Sequence, residues 1–167
     1  MQKEGKPEFK IQNSTFKTIM TVVRISKEFN FDMAHALLGY DGLCRNIHGH
    51  SYTLVVTVIG SAISDPSSPK NGMLIDFKDL KSIIKTSIVD RFDHALVLNG
   101  ATPGDLLEMM MKNYDKIVLT DYQPTTENMI SDMADRISSL LPAHIKLFSL
   151  RLRETPTSYA EWFAEDQ

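Results

Sequence analysis

A chain of 167 residues with 43% hydrophobic and 23% charged residues, 8 Gly and 7 Pro has the length of one ordinary domain, and its composition excludes the disordered, collagenous and disulfide-rich classes. A formal charge of -3 leaves no broad excess of Lys and Arg, which argues against nucleic acid or an anionic membrane as the main partner, so an anionic ligand must be met by local cations. The longest apolar stretch, 54–63, is about half of what a bilayer crossing needs, the start lacks an apolar signal core, and one cysteine cannot form an internal disulfide, so the expected location is cytoplasmic.

Residues 1–19 show no periodicity and read as an N-terminal extension without order, ahead of a single domain over 20–167. Val23, Ile25, Phe29, Phe31 and Met33 recur at every second position, with Lys27 the exception, which predicts a half-buried strand that carries His35 on its apolar face. A loop with Gly39, Asp41 and Gly42 leads through Cys44 to a second strand, His48–Ile59, rich in β-branched and aromatic residues. The turn region 61–72, with Pro66, Pro69 and Asn71-Gly72, and a short extended piece, Met73–Ile75, follow, and the paired strands make a hairpin. Asp76 is placed to cap a helix whose Leu80, Ile83, Ile84, Ser87 and Ile88 line one side and which ends near Asp90.

A Met-rich piece, Asp105–Asn113, predicts a short helix, and an apolar Ile117–Leu119 follows it. A second main helix starts at Thr125 or Thr126, shows Met129, Ile130, Met133, Ala134, Ile137, Leu140 and Leu141 at helical spacing, and stops before Pro142. The last strand, Ile145–Glu154, is expected to place Phe148, Leu150, Leu152 and Glu154 on one face, and Ile145, Leu147, Ser149, Arg151 and Arg153 on the other. Strands first, helices in the middle and a returning strand predict an α+β arrangement, an antiparallel sheet with two main helices on one side.

His48 and His50 lie two apart on a strand, so their imidazoles project from one face and can share an ion. A His-Gly-His alone fits equally well a turn with one satisfied core histidine. With His35 added, three imidazoles and an open fourth position make the donor set of a catalytic zinc. Cys44, beside Arg45 and four residues before His48, offers a base or nucleophile, an inert buried thiol or a fourth ligand, and spacing leaves these open. The adjacent Asp93 and His94 fit either an acid/base unit or a capping Asp with a surface His. Glu154 on an apolar face needs a partner: a planar ligand with two parallel N–H donors, or Arg151 or Arg153 from a neighbouring strand. His144, after Pro142, reads as structural.

Together these motifs resemble the signature of the 6-pyruvoyl-tetrahydropterin synthase / 6-carboxy-tetrahydropterin synthase family. The residues that carry it are Phe31-Asp32-Met33-Ala34-His35, Cys44-Arg45-Asn46-Ile47-His48-Gly49-His50, Ile75-Asp76-Phe77, Phe92-Asp93-His94, Leu98-Asn99, Pro124-Thr125-Thr126-Glu127-Asn128 and Arg153-Glu154-Thr155, in the family's order over 22–155. The resemblance implies a tunnelling fold (T-fold), in which subunits join their sheets into a barrel, and a homo-oligomer, a hexamer or tetramer, with active sites at subunit interfaces. It implies Zn2+ on His35, His48 and His50, Cys44 as the proton-abstracting base, Asp93 and His94 as its relay, Glu154 as the pterin anchor, and Thr126 and Glu127 in the pterin pocket.

The implied reaction is a lyase step on 7,8-dihydroneopterin triphosphate that gives 6-carboxy-5,6,7,8-tetrahydropterin, acetaldehyde and triphosphate for queuosine and other 7-deazapurines. The Cys-x-x-x-His-Gly-His spacing is similar to this carboxy branch. The alternatives are a 6-pyruvoyl-tetrahydropterin synthase, which keeps the carbon skeleton, an unrelated three-histidine zinc hydratase, and a pterin-binding module without catalysis. Arg45, Lys70, Arg91 and the lysines of a neighbouring subunit are the candidate cations for the triphosphate. The segment 100–123 is longer than in compact family members and has no role that the resemblance supplies.

Overall fold

The computed structural model describes residues 21–167, so the extension expected over 1–19 lies outside the described residues. Val22–Ala36 (β1) and His48–Ser61 (β2) pair antiparallel along their lengths, from Val22 opposite Ser61 to His35 opposite His48. β2 then pairs antiparallel with Ile145–Thr155 (β5), and β5 with Ser158–Phe163 (β6). On the other flank of β1 lie Ala95–Asn99 (β3) and Ile117–Thr120 (β4), giving the order β4-β3-β1-β2-β5-β6.

The expected antiparallel sheet is in fact mixed, because β3 runs parallel to β1 and β4 parallel to β3. A helical run over 77–92 carries the chain from β2 across to the free edge of β1. The helix Gly104–Asn113 (α3) then returns it so that β4 runs the same way as β3, the usual consequence of a helical crossover.

Asp76 caps that helical run as the sequence predicts, its carboxylate accepting from the Lys78 N–H at 2.7 Å. The run comprises Phe77–Ile84 (α1), a single π-helical turn at Lys85–Val89, and Asp90–Phe92 (α2), so it passes the expected end near Asp90 by two residues. Thr126–Ser138 (α4) is the second main helix. Leu80, Ile84 and Ile88 from the first run and Met129, Met133 and Ile137 from α4 pack with Phe29, Tyr52, Leu54, Val56 and Leu152 of the sheet in one core, so both helices cover one sheet face. No helix of the described residues is long and apolar enough to cross a membrane.

Three expectations need correction. The pairing of β5 steps from Thr57 opposite Ser149 to Val58 opposite Leu147, which leaves Phe148 as an extra, bulged residue. The bulge reverses side-chain parity, so Ile145 and Leu147 are buried with Leu150 and Leu152, whereas Phe148 turns away under the Arg24 guanidinium, 4.0 Å from its ring centroid. Met73–Ile75 joins no sheet; only Met73 pairs with Ile63, and Leu74 and Ile75 are buried as plugs. Past the expected last strand, the turn at Thr155–Ser158 brings back a sixth strand with Tyr159 and Trp162.

Leu54 sits fully buried at the centre of this core. Leu54→Ala is expected to lower the unfolding free energy by about 2–5 kcal/mol in urea titration, the range for an incompletely refilled cavity.

Candidate metal centre and active site

The register of β1 against β2 builds the centre. His35 stands directly opposite His48, and His50 stands opposite Met33 one step further along the same face. The donor nitrogens of the three imidazoles all lie within 4.8 Å of one another, so the three histidines can hold a metal ion. The Nδ1 of His35 lies 2.7 Å from the Pro124 carbonyl and that of His48 lies 2.8 Å from the Asn46 carbonyl. Carbonyl oxygens only accept, so each Nδ1 carries the proton and each Nε2 presents a lone pair.

The two Nε2 atoms face each other at 3.1 Å. Between two neutral rings this contact sets lone pair against lone pair, an arrangement that a bound cation satisfies. Tetrahedral coordination at the usual metal–imidazole length puts donor nitrogens about 3.3 Å apart. The side chains therefore fit a metal ion both in donor type and in spacing.

Glu154 reaches the same place from β5. Tyr52, fully buried and two residues after His50 on the same face, donates its hydroxyl to Glu154 Oε1 at 2.9 Å. The same oxygen lies 3.6 Å from Nε2 of His35 and of His50, too long for a hydrogen bond. Burial, and then the Glu154 charge, push the Tyr52 phenol well above its ordinary value, so it remains a donor. Neither arginine that sequence offered as a partner pairs with Glu154: Arg151 binds Glu161, and Arg153 donates to the Pro156 carbonyl.

A cavity of about 520 Å³ opens over these groups, lined by His35, Cys44, His48, His50, Thr126, Glu127 and Glu154 among others. Cys44 sits on a single 3-10 turn, Leu43–Arg45, whose position is set by the Leu37 N–H bonding the Cys44 carbonyl at 2.9 Å. Thr126 and Glu127 arrive with the first turn of α4, where the Thr125 hydroxyl caps the Asn128 N–H and Asn128 Nδ2 bonds the Gln123 carbonyl. The same segment supplies the Pro124 carbonyl that orients His35. Sequence reasoning missed Tyr52, Tyr40 and Tyr159, which hold or line this cavity. Parity with His50 was the available signal for Tyr52; Tyr159 had none without the sixth strand.

Asp93 and His94 are not brought here. They follow α2 and sit with the residues of the opposite sheet face, His94 lining a separate cavity of about 810 Å³ with Asp32, Ala34, Gly49 and Ser51. Only His50, at the boundary, lines both cavities. Within the pair, His94 Nδ1 lies 3.0 Å from Asp93 Oδ1, and the Asp32 N–H donates to that oxygen at 3.1 Å. The Asp32 N–H, and less strongly His94, hold the Asp93 carboxyl below its ordinary value. Of the candidate triphosphate cations, Lys70 is ion-paired with Asp79, and Arg91 lines a third cavity on the helical side. Arg45 is exposed beside Cys44.

Comparison with known proteins places this architecture. The family model for 6-pyruvoyl tetrahydropterin synthase matches residues 24–165. The 6-carboxy-5,6,7,8-tetrahydropterin synthase of Haemophilus influenzae is 38% identical over 141 residues, covering 83% of this chain and 97% of its own. That of Rickettsia felis is 29% identical over 142 residues, covering 84% and 99%. The solved structure of Caenorhabditis elegans 6-pyruvoyl tetrahydropterin synthase superimposes with a TM-score of 0.61 at 24% identity, covering 87% of this chain and 97% of that one. The mixed sheet with helices on one face is thus a tunnelling fold.

Burial lowers the His35 pKa below its ordinary 6.5, so the ring stays neutral in the folded chain where it would be protonated in the unfolded one. Between the two values the unfolded state binds more protons, and stability rises with pH. Metal-free protein is therefore expected to lose thermal stability as pH falls below about 6.5, levelling off below the folded value, by analogy with other linked groups. His35→Gln should flatten that slope; an unchanged slope would contradict the neutral assignment.

Proposed function

The chain belongs to the 6-pyruvoyl tetrahydropterin synthase family and is an enzyme of it, and from that premise we infer that it converts 7,8-dihydroneopterin triphosphate to 6-carboxy-5,6,7,8-tetrahydropterin, acetaldehyde and triphosphate. The observation that carries this reading is the single cavity that gathers three metal-competent imidazoles, a thiol and a carboxylate. Two relatives named for the carboxy product, matched over nearly their whole length, favour that branch.

Three imidazoles with an open fourth position favour zinc. Bound there, zinc would supply Lewis acidity to the side-chain oxygens of the substrate and so make the neighbouring carbon easier to deprotonate. The rest of the chemistry belongs to the chain. Glu154, held by Tyr52 through one lone pair of Oε1, offers its two carboxylate oxygens to parallel N–H donors of the pterin edge and so fixes the ring relative to the metal centre. Cys44 faces the same cavity and takes the proton as its base. Thr126 and Glu127 line the wall on which the ring lies.

The location of Asp93 and His94 on the other sheet face gives the oligomer a chemical purpose. A relay that returns protons to Cys44 must come within hydrogen-bond reach, and in this arrangement a neighbouring copy supplies it. A homo-oligomer with interface active sites follows from the reading, with joined sheets as its frame.

The metal-loaded protein, incubated with dihydroneopterin triphosphate, is expected to yield the carboxy pterin by mass analysis together with acetaldehyde; a pyruvoyl product without acetaldehyde would shift the assignment to the other branch. Cys44→Ala and His94→Ala should each keep the metal and lose turnover by about 10²–10⁴-fold, the range for a general acid or base. Refolded together, the two variants should regain part of the activity, because mixed assemblies contain interfaces with both groups intact. No recovery would place thiol and relay in one chain.

A further inference from the structure

His94 is the only non-glycine residue with a positive φ among the described residues, at 57°. A residue with a Cβ adopts this region only where its surroundings hold it. Two hydrogen bonds to the β1 backbone at Asp32 supply part of the hold: the His94 N–H donates to the Asp32 carbonyl at 2.6 Å, and the Asp32 N–H donates to the Asp93 side chain at Oδ1. These fix the amide side of His94 and the Asp93 carboxylate. The peptide between the two residues is still held from one side only.

Lys116 closes the other side. Its backbone carbonyl accepts from the Leu96 N–H at 3.0 Å, which anchors the residue to β3 just ahead of β4. From there its ammonium donates to the Asp90 carbonyl at 2.9 Å and to the Asp93 carbonyl. The Asp90 carbonyl lies in the last turn of the helical run over 77–92 and the Asp93 carbonyl on its C-cap residue, where carbonyls lack helical partners and a cation is favoured. Its bonds go to two carbonyls rather than to a carboxylate, so the charge serves the backbone. Lys116 also lines the cavity into which His94 projects, with Asn113, Tyr114 and Asp115 beside it.

We propose that Lys116 is a positioning residue for the Asp93-His94 pair: its ammonium clamps the peptide joining them and so aims the His94 imidazole into the 810 Å³ cavity. The proposal rests on the reading of that pair as the proton relay. It also gives the long segment over 100–123 a task, since α3 and β4 are what place Lys116 at the end of the helix.

The test separates position from bulk stability and this proposal from the relay reading. Lys116→Met is expected to lower kcat at least tenfold while the KM for dihydroneopterin triphosphate and the bound metal stay unchanged, and Lys116→Arg to retain most of kcat. In the His94→Ala background, Lys116→Met should cost less than a further twofold, because a residue that acts through His94 has nothing left to position. Should the Met variant fail to fold, Lys116→Gln carries the same comparison. Full kcat in the Met or Gln variant, an Arg variant as impaired as Met, or equal losses in both backgrounds would overturn the proposal. Full activity of His94→Ala alone would remove the relay reading and the proposal with it.

Discussion

The antiparallel register of β1 against β2 is the constraint from which the rest of the site follows. With His35 opposite His48, three imidazoles share one face, and Tyr52 comes next along it to meet Glu154 from β5. Side chains alternate with a period of two, so a slip of one residue would send His48, His50 and Tyr52 to the far face and leave His35 alone. The apolar residues on the same strands prevent that slip. Phe29, Phe31 and Met33 on β1 and Leu54, Val56 and Val58 on β2 bury on the helix side only in the observed register, so hydrophobic burial and metal geometry select the same alignment.

This coupling explains how so polar a cluster is held at the margin of an apolar core. Isolated, a buried histidine and a carboxylate would each be costly. Here His35 gives up its charge rather than its burial, its Nδ1 proton satisfied by Pro124, and Glu154 is met by a phenol that burial keeps protonated. Orientation thus comes from backbone carbonyls and from one deeply seated tyrosine, groups that the fold cannot easily move. The Nε2 atoms of His35 and His48, 3.1 Å apart, are the pair that a bound cation would share.

Much of this was legible from residue order. Alternation on β1 gave the face of His35, and the His48/His50 spacing gave the pair; local periodicity reports these directly. Phe148 shows what it does not report: one bulged residue exchanges the faces of Ile145 and Leu147, and no pattern within β5 marks where the extra residue falls. Parallel pairing of β3 and β4 was hidden for another reason, since strand direction depends on the path of the intervening chain. Tyr159 was invisible because the last strand was expected to end at Glu154, with no returning strand beyond it. Cys44, Thr126, Glu127 and Glu154 converge on the histidines, but Asp93 and His94, adjacent in every motif reading, fall on the other side of the sheet.

That last separation is informative. A β-sheet is a wall one residue thick, and the thinnest point of this wall is Gly49, between His48 and His50. A Cβ added there would stand 3.0 Å from the Met33 carbonyl, so a side chain would need the neighbouring strand to give by a few tenths of an ångström. One cavity opens on each side of this point, and His50 borders both. The metal-binding face is packed beneath the chain's own helices, whereas the face bearing His94 has no helix over it from the core-forming pair. A single chain therefore keeps Cys44 apart from Asp93 and His94, and the proposed assembly is the arrangement in which sheets joined edge to edge would bring the Asp93-His94 pair of one copy to the thiol of the next. In that view the β1–β2 register does two jobs at once: it gathers the three histidines on one face and keeps the Asp93-His94 pair on the other.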